Sequence, residues 1–205
     1  TRTITYRVAY LLSKGLNPSQ ILLATFTNKA AREMLARVER LTGSTHSAVW
    51  GGTFHAIGNR LLRQNAPLVG LLPSYSILDD QDQRDLIKVC VTEAKVKVED
   101  KRFPSPALIQ DLISFAYNTR RSTAQVVEER APHFCMWTEE LQQVAHRYER
   151  KKRAANALDY DDLLRFWLAL VADHPEQARR LGEQFAYVLV DEYQDTNAVQ
   201  AEIVE

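Results

Sequence analysis

The most constraining feature of the sequence is a run of four apolar residues that ends in two adjacent carboxylates. Residues 187–190 (Tyr-Val-Leu-Val) have the length and composition of a strand, and Asp191 and Glu192 follow directly. A continuous apolar strand is typical of a parallel sheet that is covered on both faces. Ligands bind such sheets at the carboxyl ends of the strands. The segment 186–191 therefore predicts a buried parallel strand with two acidic groups at the ligand-binding edge.

Strands and helices alternate at both ends of the chain. Short apolar runs predict further strands at 21–25, 48–53 and 75–78. Apolar residues at helical spacing predict helices at 2–14, at 54–65 and in a segment that is capped by Thr27 or Asn28 and ends at Leu41. This alternation is typical of an α/β fold with a parallel sheet.

The middle of the chain has a different pattern. Residues 80–155 contain no convincing strand, and helices are predicted at 80–95, 105–117, 122–131 and 136–154. Two more helices are predicted at 158–171 and 174–184, and Thr196 is predicted to cap a final one. We therefore expect one α/β domain, formed by residues 1–78 and 156–205, with an all-α subdomain at 79–155 inserted in it.

Composition narrows the functional classes. The chain has 205 residues with 26 basic and 26 acidic side chains, so a nucleic-acid site has to be a local feature. No apolar run approaches the roughly 18 residues of a membrane span, so no membrane partner is expected. The two cysteines, Cys90 and Cys135, form no disulfide framework, and a reducing, cytoplasmic location is expected.

The acidic pair has two interpretations. Asp191 can hold Mg²⁺ while Glu192 orients or deprotonates an attacking water, which is the Walker B arrangement of phosphoryl-transfer enzymes. Alternatively, the pair belongs to an acidic loop that caps the helix after a core strand. The two residues alone do not separate these interpretations.

Four segments together resemble a known family. Residues 191–197 (Asp-Glu-Tyr-Gln-Asp-Thr-Asn) resemble motif II of superfamily-one DNA helicases of the UvrD/Rep/PcrA kind. Three further segments resemble the same family in the expected order: residues 25–31 motif Ia, residues 52–55 motif Ib, and residues 158–164 the D-[FY]-x-D-L-L segment before motif II. The four segments extend from Thr25 to Asn197, which is most of the chain.

This resemblance implies a fold and an activity. The fold would be a RecA-like parallel sheet of the P-loop NTPase type, domain 1A, with the helical insertion as domain 1B. The parent protein would be an ATP-dependent DNA helicase that uses ATP and Mg²⁺ to move along single-stranded DNA and to unwind duplex junctions. Repair, replication restart or recombination are the processes in which such helicases act.

The resemblance also assigns roles at the nucleotide site. Asp191 would serve Mg²⁺, Glu192 the attacking water, and Gln194 would relay the nucleotide state toward the DNA site. Thr1 would be the last P-loop residue, whose hydroxyl ligates Mg²⁺. No glycine in this sequence is followed by lysine, so the Gly-rich loop and its Lys would lie upstream. We therefore expect the 205-residue chain alone to be inactive as an ATPase.

Motifs Ia and Ib supply the expected DNA contacts. In motif Ia, backbone N–H groups at a helix start and the hydroxyls of Thr25 and Thr27 can bind a phosphate, and Phe26 can stack on a base. The alternative for Phe26 is an inward, core position. The full set of expected contacts is Thr25, Phe26, Thr27, Asn28, Thr53, Phe54 and His55. A lone histidine such as His55 also commonly has a structural role.

Other polar and aromatic residues have open interpretations. A basic cluster could follow a DNA backbone or form a solvated helix face, and residues 118–121 (Asn-Thr-Arg-Arg) could do the same. The cluster consists of Arg147, Arg150, Lys151, Lys152 and Arg153. Tyr160 could be a core residue. His133 and Cys135 have too few companion ligands to predict a metal site.

Two alternatives to a helicase motor domain without further activities remain open. The chain could be a truncated, non-hydrolytic DNA- or protein-binding module derived from a helicase. The absence of a complete P-loop favours this rival, whereas the intact Asp191-Glu192 pair opposes it. A further possibility is that the parent protein carries a fused nuclease domain.

Overall fold

The computed structural model describes residues 2–43, 48–94 and 103–205. The helices are α1 (Arg2–Ser13), α2 (Asn28–Thr42), α3 (Phe54–Asn65), α4 (Asp80–Glu93), α5 (Pro106–Thr119), α6 (Thr123–Arg130), α7 (Thr138–Ala154), α8 (Tyr160–Ala172), α9 (Pro175–Gln184) and α10 (Ala198–Val204). The strands are β1 (Ile21–Thr25), β2 (Trp50–Thr53), β3 (Ser76–Ile77), β4 (Ala157–Leu158) and β5 (Tyr187–Val190).

A small parallel sheet organises the α/β part of the chain. Its strand order is β2-β1-β5, and β1 pairs in parallel with both neighbours. The other two strands, β3 and β4, form a separate parallel pair. The predicted α/β class and the four predicted strands are confirmed, although three of the strands are shorter than predicted. The two-residue strand β4 was not predicted, because two residues are too few to show a period.

The described residues divide into two compact units. One contains the chain up to Val69 together with Phe166–Glu205, and it includes the three-stranded sheet. The other is Gly70–Arg165, which is almost entirely helical. As predicted, no strand occurs among the described residues of 80–155. The assignment of residues 79–155 to a domain 1B remains a prediction.

Each unit has its own apolar core. In the sheet unit, α1 and α2 bury the residues Val8, Leu11, Ile21, Leu23, Met34, Val38 and Val49. In the helical unit, α4–α7 meet in a larger core that includes Ile87, Ile109, Leu112, Val126, Leu141 and Val144. These positions recur at helical spacing, which is why sequence periodicity identified the helices.

Local capping explains the helix boundaries. Thr27 is the N-cap of α2, where its Oγ1 accepts a hydrogen bond from the Ala30 N–H at 3.1 Å. Thr53 caps α3 in the same way, and α3 has the predicted limits. The prediction for the last helix was wrong by one residue. Asn197, not Thr196, caps α10, because the Thr196 hydroxyl donates to the Tyr193 carbonyl instead.

Strand β5 is less buried than its apolar sequence predicted. Val188 is 43% exposed, and Tyr187, Leu189 and Val190 are half-buried. The reason is that β5 lies at the edge of the described sheet and pairs with β1 alone. Val188 lines an apolar groove of about 460 Å³ together with residues of α8, α9 and α10.

A buried lysine connects three segments of the helical unit. Lys152 is 2% exposed, and its Nζ contacts Asp159 Oδ2 and Asp162 Oδ2 at 2.5 Å each. The Tyr148 hydroxyl donates to Asp159 Oδ2 at 2.9 Å. Burial raises the pKa of the Asp162 carboxyl, and the Asp159 charge raises it further, whereas Lys152 and Arg165 lower it.

The same two carboxylates form the start of α8. The Asp162 N–H donates to Asp159 Oδ1 at 2.9 Å, and the Asp159 N–H donates to Asp162 Oδ2 at 3.2 Å. This reciprocal pattern is a capping box. The segment that resembles D-[FY]-x-D-L-L therefore has a structural role here. Tyr160, within it, is 50% exposed, so the core alternative for Tyr160 is wrong.

This network corrects the interpretation of the basic cluster. Lys152 is neither a solvated residue nor exposed to a DNA backbone, because it neutralises two buried carboxylates. Lys151 is half-buried and pairs with Glu93 at 2.8 Å, while Arg150 and Arg153 are exposed. A run of cations in sequence thus separates into buried and exposed members on one helix.

Replacing Lys152 should severely destabilise the helical unit. Lys152→Met removes the cation that two buried carboxylates share, and only Asp162 keeps another, Arg165 at 3.2 Å. We expect this loss to cost roughly 3–5 kcal/mol of unfolding free energy. Arg153→Met, on the same helix but exposed, should change it by less than about 0.5 kcal/mol. Urea unfolding followed by circular dichroism measures both, and equal effects of the two substitutions would contradict the structural role of Lys152.

Asp161 should make stability depend on pH in a defined direction. Burial raises the pKa of the Asp161 carboxyl, while hydrogen bonds from Ser114 and Asn118 lower it less. The folded chain therefore binds this proton more tightly than the unfolded chain, and the stability gained at low pH is lost as pH rises through the folded pKa. The stability of the unsubstituted chain relative to Asp161→Asn should thus fall as pH rises above about pH 4, the range in which the unfolded carboxyl loses its proton.

Asp85 provides a control of opposite sign. A hydrogen bond from Lys88 and another from Gln81 hold the pKa of the exposed Asp85 carboxyl below its usual value. The stability of the unsubstituted chain relative to Asp85→Asn should therefore rise with pH, and this rise should lie below about pH 4, where the unfolded carboxyl loses its proton. Urea titrations at several pH values measure both differences, and parallel pH profiles for the two variants would refute the assignment.

Candidate functional site

Three strands end together at one edge of the sheet. In the parallel register, Thr25 of β1 lies beside Thr53 of β2, and Ala24 lies beside Val190 of β5. The Asp191 N–H donates to the Ala24 carbonyl at 2.9 Å, which continues the β5 pairing by one step. The segments that resemble motifs Ia, Ib and II therefore begin next to one another, although they are far apart in sequence.

The acidic pair is divided between interior and surface. Asp191 is 3% exposed at the end of β5, whereas Glu192 is exposed. Glu192 has a φ of 54°, in the left-handed region that non-glycine residues adopt at a cost of roughly 1–2 kcal/mol. Strained backbone of this kind is commonly found at functional sites.

A side-chain hydrogen bond joins Gln194 to Glu192. The Gln194 Nε2 donates to Glu192 Oε2 at 2.8 Å, across the start of the short 3₁₀ turn Tyr193–Asp195. Both side chains are exposed. The amide therefore orients the carboxylate that was predicted to act on water. Sequence reasoning connected Gln194 with this site but did not predict the contact.

The predicted motif Ia contacts differ in accessibility. Phe26 is 37% exposed in the two-residue connection between β1 and α2, and Thr27 and Asn28 are exposed at the start of α2. The first N–H groups of a helix carry partial positive charge and suit a phosphate. Thr25, in contrast, is 2% exposed, so its hydroxyl is removed from the surface where a phosphate would bind.

The predicted motif Ib contacts differ in the same way. Thr53 and His55 are half-buried, and Thr53 caps α3. Phe54 is 1% exposed, and a buried ring offers no face to a ligand. Its ring lies between Phe26, at a centroid distance of 6.1 Å, and Trp167, at 6.2 Å. In this conformation the side chains of Phe54 and Thr25 are therefore too buried to contact DNA directly.

Trp167 was missed by the sequence reasoning. It is 4% exposed on α8 and belongs to the sheet unit. Its position three and four residues after the core residues Leu164 and Leu163 could have indicated that it faces inward. That spacing does not reveal its neighbour Phe54, because the contact joins segments more than a hundred residues apart.

The metal assignment extends outside the described residues. Thr1, predicted to ligate Mg²⁺ with Asp191, is not among them. Within the part of the chain that the structure describes, no group of three or more His, Cys, Asp or Glu side chains could hold a metal ion. None of the described helices has both the length and the apolar character needed to cross a membrane.

Comparison with known proteins decides the family. The sequence-family model for the UvrD/REP helicase N-terminal domain matches residues 1–205 of this chain. The chain belongs to this family. The resemblance inferred from the four motifs is thereby confirmed.

Curated relatives of this UvrD/REP helicase N-terminal domain include proteins named ATP-dependent DNA helicase PcrA. The one from Staphylococcus epidermidis is 37% identical over 206 residues, and the one from Staphylococcus aureus strain Mu50 is 35% identical over 206 residues. Each alignment covers 100% of this chain and 27% of the relative. The chain thus spans about a quarter of the length of these relatives.

The left-handed backbone at Glu192 should be measurable in this helicase domain. Both Glu192→Gly and Glu192→Ala remove the hydrogen bond with Gln194, but only glycine adopts this φ without a Cβ penalty. Glu192→Gly should therefore be more stable than Glu192→Ala by about 1 kcal/mol in urea unfolding. The reverse order would show that the backbone is not left-handed at this position.

Proposed function

We propose that this chain is the RecA-like first motor domain of an ATP-dependent DNA helicase. Residues 1–78 and 156–205 would form domain 1A and residues 79–155 domain 1B. The observation that carries the proposal is the common edge at which Thr25, Thr53 and Val190 end their strands. That edge offers one set of residues to nucleotide and another to DNA, at neighbouring positions of a single sheet.

The nucleotide part of the edge uses the acidic pair. Asp191 is a nearly buried carboxylate at a strand end, and such an oxygen donor suits Mg²⁺. Bound Mg²⁺-ATP would supply the phosphoryl group, with the metal neutralising its charge. Glu192 would orient the attacking water, and Gln194 would hold Glu192 through the 2.8 Å hydrogen bond. Thr1 would complete the Mg²⁺ ligands.

The DNA part of the edge uses motifs Ia and Ib. The exposed ring of Phe26 would stack on a base, while Thr27 and Asn28 would place the start of α2 against a phosphate. Thr53 and His55, which lie at the start of α3, would contact the same DNA strand. Single-stranded DNA and duplex junctions are the proposed nucleic-acid partners, in repair or recombination within the cytoplasm.

The 205-residue chain alone should not hydrolyse ATP. Phosphoryl transfer depends on a Lys and a backbone cradle for the phosphates, and these residues contain no Gly-Lys pair. We expect phosphate release by the purified chain to equal that of its Glu192→Gln variant, with and without DNA. Turnover that Glu192→Gln abolishes would overturn this proposal.

Phe26 should contribute measurably to single-strand binding. Phe26→Ala removes the exposed ring, and loss of one base-aromatic stack costs about 1–3 kcal/mol. Fluorescence anisotropy with a labelled oligothymidylate at low salt measures the change in affinity. Tyr10→Ala, which removes an exposed tyrosine from α1, is the matched control and should leave the affinity unchanged. Equal affinities for Phe26→Ala and the unsubstituted chain would show that Phe26 has a packing role and does not stack on DNA.

A further inference from the structure

We propose that Phe54 and Trp167 are positioning residues for the stacking of DNA on Phe26. The inference rests on the proposed single-strand contact of Phe26 and adds two buried residues that hold that ring in place. Neither residue would touch DNA. Both would act through Phe26, as the second and third members of a series of three aromatic rings.

Strand register creates the first contact of this series. Thr25 and Thr53 are paired across β1 and β2, and a phenylalanine follows each of them directly. The two strands are parallel, so the residues that follow a paired position leave the sheet side by side. The rings of Phe26 and Phe54 meet at a centroid distance of 6.1 Å with an interplanar angle of 53°.

The second contact anchors the series in the core. The rings of Phe54 and Trp167 have a centroid distance of 6.2 Å and an interplanar angle of 44°. Both distances fall within the roughly 4.5–7 Å range of favourable aromatic pairs. Exposure changes from 37% at Phe26 to 1% at Phe54 and 4% at Trp167. The series therefore extends from the surface to residues that are buried in the core.

Phe54 and Trp167 are held more firmly than Phe26. Phe54 is the first residue of α3, directly after the N-cap Thr53, whose Oγ1 accepts a hydrogen bond from the Ala56 N–H at 3.2 Å. Trp167 lies in the middle of α8. Phe26 belongs to neither a strand nor a helix, so its ring depends on side-chain packing for its orientation.

A pre-oriented ring binds more tightly than a mobile one. Immobilising a free side chain on binding costs free energy, and a ring that is already ordered avoids that cost. Loss of the Phe54 ring should therefore weaken single-strand binding even though Phe54 is buried. We expect the loss of an aromatic pair of this kind to lower the affinity for single-stranded DNA about two- to tenfold.

A double-mutant cycle on the 205-residue chain tests the proposal. Oligothymidylate affinity is measured by anisotropy for the parent chain, Phe54→Leu, Phe26→Ala and the double variant. We expect Phe54→Leu to lower affinity about two- to tenfold in the parent background and to have no further effect once Phe26 is alanine. A merely structural role of Phe54 would lower affinity equally in both backgrounds, and that result would overturn the proposal.

Phe185→Leu is the matched control. Phe185 is also buried in the sheet unit and pairs with one aromatic ring, that of Trp50, at 5.2 Å. The same substitution there removes a comparable aromatic contact outside the series of three rings, so it should leave affinity unchanged. An equal loss of affinity in Phe185→Leu would show a general effect of core truncation and would contradict the inference.

A second pair of variants applies if Phe54→Leu does not fold. Trp167→Phe keeps an aromatic ring against Phe54, whereas Trp167→Leu removes it. We expect Trp167→Phe to retain more affinity than Trp167→Leu, and only while Phe26 is present. Equal affinities for the two would overturn the inference alone. Absence of oligothymidylate binding by the parent chain would instead overturn the proposed DNA site, and the inference with it.

Discussion

The parallel pairing of β1 with β2 on one side and with β5 on the other brings together the segments that resemble motifs Ia, Ib and II. Because all three strands run in the same direction, their carboxyl ends meet at one edge. Gly51 lets α2 pack closely on β2, since a Cβ at that position would lie 2.9 Å from the Leu35 side chain of α2. A register shift of one residue would turn the side chains of β2 to the opposite faces and would separate Thr53 from Thr25.

A different kind of interaction organises the helical unit. Its apolar core is ordinary in composition, but the start of α8 depends on charged groups that are removed from water. Asp159 and Asp162 each serve as a cap for the other and as a partner of Lys152. A buried charge is tolerated where hydrogen bonds and an opposite charge satisfy it. Each carboxylate here has both, because it accepts a backbone N–H and contacts Lys152. Polar groups thus specify a helix start that apolar packing alone would leave undefined.

Local features of this chain could be predicted from sequence, and non-local ones could not. The limits of α3 follow from neighbouring residues and were predicted, and Thr27 was one of the two caps predicted for α2. The edge position of β5 depends on which strands pair, and the apolar run at 187–190 contains no information on that. The burial of Lys152 was missed because a run of cations is usually a surface feature. The resemblance to a helicase family proposed the candidate site, whereas the contact of Phe54 with Phe26 depends on the pairing of two strands and was not predicted.

Lys152 of α7 and the two carboxylates at the start of α8 also limit how the sequence can evolve. Lys152, Asp159 and Asp162 form one electrostatic unit, in which the loss of any member removes a partner from a buried charge. A chain that exchanged this unit for apolar residues would have to pass through intermediates with an uncompensated buried charge. Lineages of this domain should therefore vary the three positions together or leave them unchanged. Such covariation would arise from folding, independently of any selection on DNA or nucleotide binding.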